Sequence, residues 1–486
     1  MRGRFAPYVL GIGLAGLAVV SLFFAVYAHA LGEPVSGFLV TALVASLVGA
    51  PLLLLRVSGA EPTRREALIG VLLLWSWVPV VGSIPYLLTG GMSAVSALFE
   101  SMSGYTATGA TTLTAELFAT FPDSLFMYRA ITQWFGGVGI IVLFIAVFPQ
   151  LAIAGRQLFF AELPGPTEER LTPRLRYTAS AVVVVYLTLT AAAIVAYVLA
   201  GLPLYDAVAH TFTTVGAAGF SPHAGSIGGY ELPLAQWVAI LFMTLAGISF
   251  ILSYQALTGN PRPLWRDPEL RTYLGIIVVA AGLVMLALGD TYDTGERLRH
   301  SLLQVISILT TTGYASADFG EWPIGAQVVL LTLMFIGGSA GSAAGGIKIM
   351  RWLIVSKNTV RELQGALHPK AVIPLRVGQR IIPEAILRSV AAFITIFVAT
   401  FALLTVVLAW LEQDFLTAAS AAIACLGNVG PGLGGVGPMQ NYDQLHPASR
   451  LVLTFAMYVG RLEVITVFVL FTPRFWYLPR RRRNPR

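Results

Sequence analysis

The sequence predicts an all-α membrane protein, and three observations carry that expectation. Of the 486 residues, 56% are hydrophobic and only 11% are charged, with a mean hydropathy of +0.76; a soluble globular domain carries about 25% charged residues. Ten apolar runs approach or exceed the roughly 20 residues that cross a hydrocarbon core. Within them one unit recurs four times: a span, a half-length apolar stretch, a loop rich in Thr, Gly and Ala, and a second span.

Residues 1–60 hold two spans, Tyr8–Ala30 and Gly37–Leu55, that precede the repeats. Arg2, Arg4 and the stretch "AHA" (Ala28 to Ala30) imitate a signal peptide, but the apolar run is longer than the usual 7–15 residues, so a retained span is expected. Four repeats follow. The first (61–155) has spans Ala67–Leu88 and Leu125–Phe148, and the second (156–260) has Ala179–Gly201 and Leu234–Leu257. The third (261–365) has Tyr273–Leu288 and an interrupted Gly325–Val355, and the fourth (366–486) has Ala385–Leu411, Leu451–Phe471 and the basic tail "RRRRNPR". Arg and Lys gather in every second connection: Arg56 to Arg65, Arg156 to Arg176, Arg262 to Arg271, Arg351 to Arg388, and the tail. The opposite connections hold only Arg129, Arg297, Arg299 and Arg450. By the positive-inside rule both termini are cytoplasmic. The net charge of +7 is topological and asks for no nucleic acid. One cysteine, Cys425, excludes an internal disulfide.

The four half-length stretches read "SALFESMSGYTATGATTLT", "YDAVAHTFTTVGAAGFSPH", "RHSLLQVISILTTTGYASADF" and "LTAASAAIACLGNVGPGLGG". About 12 helical residues cover about 18 Å, enough to enter a bilayer and not to cross it. Each is therefore expected to be a re-entrant helix with an extended return. Gly109, Gly219, Gly313 and Gly430 mark the turns, about 100 residues apart, as divergent internal repeats do. Irregular backbone at membrane depth survives only where protein or a watery cavity covers it. Four such loops meeting on one axis would form carbonyl rings around a central pore. The loops carry no acidic ring, glycine permits the required dihedrals, and each half-helix aims its partly negative C-terminus at the loop, which favours a cation. Asp206 and Asp414 stand where N-caps would open two of these helices.

The stretch "GGSAGSAAGGIK" (Gly337 to Lys348) nearly spells a nucleotide-binding loop, but the lysine is one place late, Ile349 follows it, and no βαβ pattern surrounds it. Its glycines instead predict an interrupted helix, each costing up to about 1 kcal/mol. Arg461 falls mid-span, where a charge costs at least about 2.5 kcal/mol, so a cavity or a carboxylate partner is expected. Glu463, two residues on, does not share its helix face. "GGVG" (Gly136 to Gly139) reads as a close helix contact, His210 and Cys425 as packed residues, and Glu100 as a hydrogen-bonded structural carboxylate.

"FESMSGYTATGAT", "QWFGGVGIIVL", "TTTGYASADF", "GGSAGSAAGGIK" and "GNVGPGLG" resemble motifs of the Trk/Ktr/HKT superfamily of potassium transporters. The likeness covers nearly the whole chain, and the two extra N-terminal spans match its TrkH branch; "VGAAGF" is the loosest match. The resemblance implies that an ion is held by carbonyls at Ala107, Thr108 and Gly109; Ala217, Ala218 and Gly219; Thr311, Thr312 and Gly313; and Asn428, Val429 and Gly430. Relatives with Ser for the first glycine are associated with sodium, so Gly109 argues for potassium. It further implies a gate beneath this filter, formed by Gly337, Gly338, Gly341, Gly345, Gly346, Lys348 and a pore-facing Arg461. Also implied are a homodimer with one pore per protomer and a cytosolic, Rossmann-type, nucleotide-binding regulatory subunit (TrkA-like).

The reading that follows is potassium uptake across a bacterial inner membrane by a non-enzymatic, channel-like pore, with potassium as substrate and no bound cofactor. The alternatives are a sodium or mixed-cation pathway and an ion-coupled secondary transporter. The latter would line a midplane site with ionisable residues, and few exist here.

Overall fold

The computed structural model describes residues 4–55, 63–146, 171–412 and 414–476. The basic tail, Arg2, Arg56, Arg156 and Arg170 lie outside the described residues. Helices of eight residues or more are numbered here. Two N-terminal helices, α1 (Phe5–Leu31) and α2 (Ser36–Leu53), pack closely where Gly11 meets the Gly49 carbonyl, since small residues let backbones approach. Then come α3 (Arg64–Gly82), α4 (Ala94–Tyr105), α5 (Asp123–Ala146), α6 (Leu171–Leu199), α7 (Leu204–Val215), α8 (Pro233–Ala246) and α9 (Phe250–Leu257). The rest are α10 (Pro268–Leu288), α11 (Thr294–Leu309), α12 (Ile324–Leu333), α13 (Ile349–Leu367), α14 (Glu384–Glu412), α15 (Phe415–Leu426) and α16 (Pro447–Arg461). A two-stranded antiparallel hairpin, β1 (Arg376–Val377) and β2 (Arg380–Ile381), precedes α14.

Among the described residues six helices are long and apolar enough to cross a membrane, and two further pairs pass together but are sharply bent. Local chemistry sets their ends. Thr63 and Glu66 form a reciprocal capping box at α3. Asp267 accepts from the Leu270 N–H at the start of α10, with Pro268 in its first turn. The half-length stretches are helices of 12, 12, 16 and 12 residues: α4, α7, α11 and α15. The buried core runs continuously around them.

Three expectations need correction. The stretch Leu234–Leu257 is not one continuous helix: α8 and α9 meet at 102°. The last span also breaks, by 107°, between α16 and Val464–Phe471, so Arg461 ends a helix instead of occupying its middle. Asp206 is not an N-cap; Pro203 holds that position and Asp206 sits in the first turn of α7. Asp414 does cap α15, accepting from the Thr417 N–H at 3.0 Å.

Candidate functional site

The four loops share one unusual backbone. Ala107, Ala217, Thr311 and Asn428 have φ of 51°, 52°, 57° and 56°, and two residues on Gly109, Gly219, Gly313 and Gly430 have φ of 85°, 78°, 82° and 101°. Non-glycine residues rarely adopt positive φ, and surrounding structure must hold them there. In an ordinary extended strand successive residues face opposite ways. A left-handed residue at every second position changes that alternation and lets consecutive carbonyls share a direction.

The loops also close on one another. A Cβ on Gly109 would collide with the Ala218 carbonyl oxygen, one on Gly219 with that of Thr312, one on Gly313 with that of Val429, and one on Gly430 with that of Thr108. Each glycine therefore receives the middle carbonyl of a neighbouring loop, in the order first, second, third, fourth, first. One small concavity of about 70 Å³ is lined by Gly109, Gly219, Gly313 and Pro431, so all four loops reach it. Among the described residues no group of three or more His, Cys, Asp or Glu side chains could hold a metal. The oxygens offered to a cation here are neutral ones.

Buried side chains brace the ring, differently in each loop. Glu100 accepts from the Thr112 N–H at 2.8 Å and pairs with Arg129 at 2.6 Å, both fully buried; Arg129 in turn lies 3.9 Å from the Phe220 ring and reaches the second loop. Gln133 spans the second loop, donating to the Ala218 carbonyl at 2.7 Å and accepting from the Phe220 N–H at 3.0 Å. Gln304 and Ser307 donate to the Tyr314 carbonyl at 3.1 and 2.7 Å. Tyr442 donates to the Gly430 carbonyl at 2.7 Å, and Asn428 donates to Thr108 Oγ1 at 2.9 Å. Glu100 is thus the structural carboxylate the sequence suggests. His210 is packed as expected, buried against Tyr314 and Tyr230. Gly136 rests on the Tyr105 carbonyl as a close helix contact. Gln133 lay inside a quoted motif, but its polarity inside a span was the signal to follow.

The glycine-rich segment between α12 and α13 is an irregular loop, with Gly337, Gly341, Gly346 and Lys348 at positive φ. Its polar backbone is satisfied by other elements. The Ser339 N–H donates to the Gly247 carbonyl at 3.0 Å and the Phe250 N–H to the Gly341 carbonyl at 3.1 Å, so the α8–α9 break and this loop pair with each other. The Gly345 N–H donates to Thr311 Oγ1 at 2.6 Å, and a Cβ on Gly345 would press on the Gly427 carbonyl. The loop therefore touches the bases of the third and fourth loops of the ring. Gly338 faces Ala344 across the fold of the loop. Lys348 Nζ turns back to the Ala344 carbonyl. Arg461 is buried, and of the cavity or carboxylate expected for it, backbone carbonyls stand in place of the carboxylate. It donates to the Gly136 carbonyl at 2.8 Å and to the Ala343 carbonyl at 3.3 Å, joining α5 to the glycine-rich loop. Glu463 pairs with Arg351 instead, at 2.6 Å.

Six helices long and apolar enough to cross a membrane, two sharply bent apolar helix pairs and four glycine loops packed on one another define a mostly helical membrane protein. The sequence matches the TrkH family, described as a cation transport protein, over residues 37–477. It is 37% identical over 424 residues to the Trk system potassium uptake protein TrkH of Salmonella typhimurium, covering 86% of this chain and 87% of that one. It is 38% identical over 426 residues to the protein of that name from Halomonas elongata, covering 86% and 87%. The structure matches the crystal structure of the potassium transporter TrkH from Vibrio parahaemolyticus with a TM-score of 0.88 and 33% identity, over 98% of this chain and all of that one. The chain belongs to the TrkH family.

Proposed function

We propose that this protein takes up potassium across the bacterial inner membrane through a pore on the axis of the four-loop ring. The observation that carries this is the closed circuit of glycines and carbonyls at Gly109, Gly219, Gly313 and Gly430. Carbonyls of Ala107, Thr108, Ala217, Ala218, Thr311, Thr312, Asn428 and Val429, with those of the four glycines, replace the hydration shell of the ion. The four units, 61–155, 156–260, 261–365 and 366–486, act as pore repeats. The Gly337–Lys348 loop and Arg461 form a gate beneath them: the loop occludes, and the guanidinium raises the barrier to a cation. The alternating basic connections support cytoplasmic termini. Ion flux into liposomes holding the purified full chain, measured with each cation alone, tests the reading. Rubidium and potassium should pass and sodium should lag; equal rubidium and sodium flux overturns it in favour of a mixed-cation pathway. Strict coupling to a second ion would favour a secondary transporter.

The same reading includes a homodimer and a cytosolic nucleotide-binding, TrkA-like subunit. The half of α13 beyond the loop carries Lys357 and Arg361 beside exposed Val360, Leu363 and Leu367, a surface suited to such a partner. Co-purification and mass measurement test both. A monomer with full nucleotide regulation and no second subunit contradicts them.

A further inference from the structure

One buried carboxylate lies outside both the ring and the Arg461 contacts. Glu269 stands in the first turn of α10 and is 1% exposed. Its Oε1 accepts from the Ala340 N–H at 2.8 Å and from the Met350 N–H at 2.9 Å. Ala340 belongs to the first half of the glycine-rich loop, and Met350 to the first turn of α13, which follows the loop. A single oxygen therefore ties together two points ten residues apart, one on each side of the loop's fold. The Met350 N–H is one of the four donors that the start of any helix leaves without an intrahelical partner, and a carboxylate there also meets the positive end of the helix dipole. α13 lacks a capping side chain of its own, so α10 supplies the group across the packing interface.

The β1–β2 hairpin packs beside this contact. The turn at Gly378 lies against the Pro268 ring, the residue before Glu269. Leu375 and Val377 of the hairpin region pack in one cluster with Met350 and Ile354 of α13, and Ala340 adjoins it. The carboxylate thus sits where the loop, α10, α13 and the hairpin converge. The loop leaves this arrangement through Lys348, a non-glycine residue at φ 76°, whose conformation persists only while neighbours impose it.

We propose that Glu269 is the latch of the glycine-rich loop, a positioning residue whose carboxylate holds the loop folded by joining Ala340 to Met350. The proposal rests on the reading of that loop as the gate. Release of either N–H frees one side of the loop from α10, and the hairpin gives the cytoplasmic surface a mechanical route to the same spot. Losing charge-assisted hydrogen bonds shifts a two-state balance by about tenfold or more.

The test uses the full chain in potassium-loaded liposomes, with Ser342→Cys as a probe of the loop. Ser342 is 4% exposed, and the chain's own cysteine, Cys425, is buried and serves as unreactive background. Glu269→Ala should raise basal potassium flux, and thiol labelling of the probe, about tenfold. The rubidium-to-sodium ratio should stay unchanged, because the ring is untouched. Glu269→Gln, which keeps an acceptor oxygen, should fall between Ala and the unmodified chain. Should Glu269→Ala fail to insert, Glu269→Asp, one methylene too short to reach both N–H groups, carries the same expectation. Unchanged flux and labelling in the folded variant overturn the latch; so does a rise in labelling that Gln shows more strongly than Ala. A shortened Gly337–Lys348 loop separates the two readings. If it raises flux while Glu269→Ala does not, the gate stands and the latch falls; if it too changes nothing, the gate reading itself falls.

Discussion

The loops of the ring repeat one conformation four times, whereas the helices that follow them differ from one another. α5 runs unbroken through Ala146, α8 and α9 turn by 102°, α12 and α13 are parted by a long glycine-rich loop, and α16 turns by 107° into Val464–Phe471. The difference separates two physical demands. On the proposed reading, an ion without its water needs oxygens on all sides, which would lead four unlike sequences to the same dihedrals. Nothing demands fourfold symmetry below the ring, and there the breaks interlock: Gly247 with Ser339, Phe250 with Gly341, Arg461 with Ala343. On the proposed reading, equal loops suit selection and unequal helices suit control.

The sharpest way to break the comparison is to damage the symmetric half. Gly109→Ser puts a side chain at φ 85° and into the Ala218 carbonyl, and neither backbone can retreat without disturbing the ring. Potassium selectivity over sodium should collapse, with rubidium and sodium flux becoming equal within about twofold, leaving a difference of under about 0.5 kcal/mol between the two ions. Unchanged selectivity in an inserted variant would remove this glycine from the filter. A second blow falls on the bracing behind the same loop. Glu100→Leu leaves the Arg129 guanidinium buried without its carboxylate, and breaking such a pair costs about 3–5 kcal/mol. Thermal unfolding in detergent should show that loss, and Glu100→Leu combined with Arg129→Met should recover much of it. A double variant as unstable as the single one would mean that the pair is not what braces the loop.

The asymmetric half answers differently. Arg461→Ala should raise basal potassium flux about tenfold while leaving the rubidium-to-sodium ratio alone. At about 6 Å and an effective dielectric of 20, unit charges repel by roughly 2.8 kcal/mol, and the carbonyls of Gly136 and Ala343 offset part of that charge. A variant that inserts and conducts at the unmodified rate would make Arg461 a strut between α5 and the loop.

The two halves were also unequally legible in the sequence. The ring was readable because its chemistry is local. A 12-residue apolar stretch, a Thr-rich turn and a glycine declare themselves within one segment, and α4, α7 and α15 have the expected length. The interruption between α12 and α13 was readable from its own glycines, but the bends after α8 and α16 were not, because distant partners make them. Leu234–Leu257 is apolar enough to span, yet its carbonyls at Ala246 and Gly247 are taken by N–H groups of the glycine-rich loop, about 90 residues on. Arg461 called for a cavity or a carboxylate, since two backbone carbonyls from other repeats leave no trace in a pattern. Glu463, discounted as a partner of Arg461 for its spacing, instead meets Arg351, which approaches from α13.

The smallest expected effect refines the comparison within the ring itself, at the outer ends of its half-helices. Their caps are not equivalent. Ser93 accepts from the Ser96 N–H at α4, Pro203 and Asp293 give α7 and α11 no side-chain cap bond, and Asp414 caps α15 with a carboxylate. The Thr417 hydroxyl and N–H both donate to Asp414 and hold its carboxyl below its ordinary value of 3.8. A carboxylate lowered by folding stabilises the folded state fully above that ordinary value, and the contribution fades as pH falls through the lowered one. Asp414 is exposed, so solvent screens the effect. Asp414→Ala should therefore cost at most about 1 kcal/mol at pH 7, and Asp414→Asn, still a good cap, less. The gap in thermal stability between the unmodified chain and Asp414→Asn should narrow below about pH 4, where the carboxyl protonates. A gap that widens on acidification would mean that Asp414 acts through something other than its charge at the start of α15.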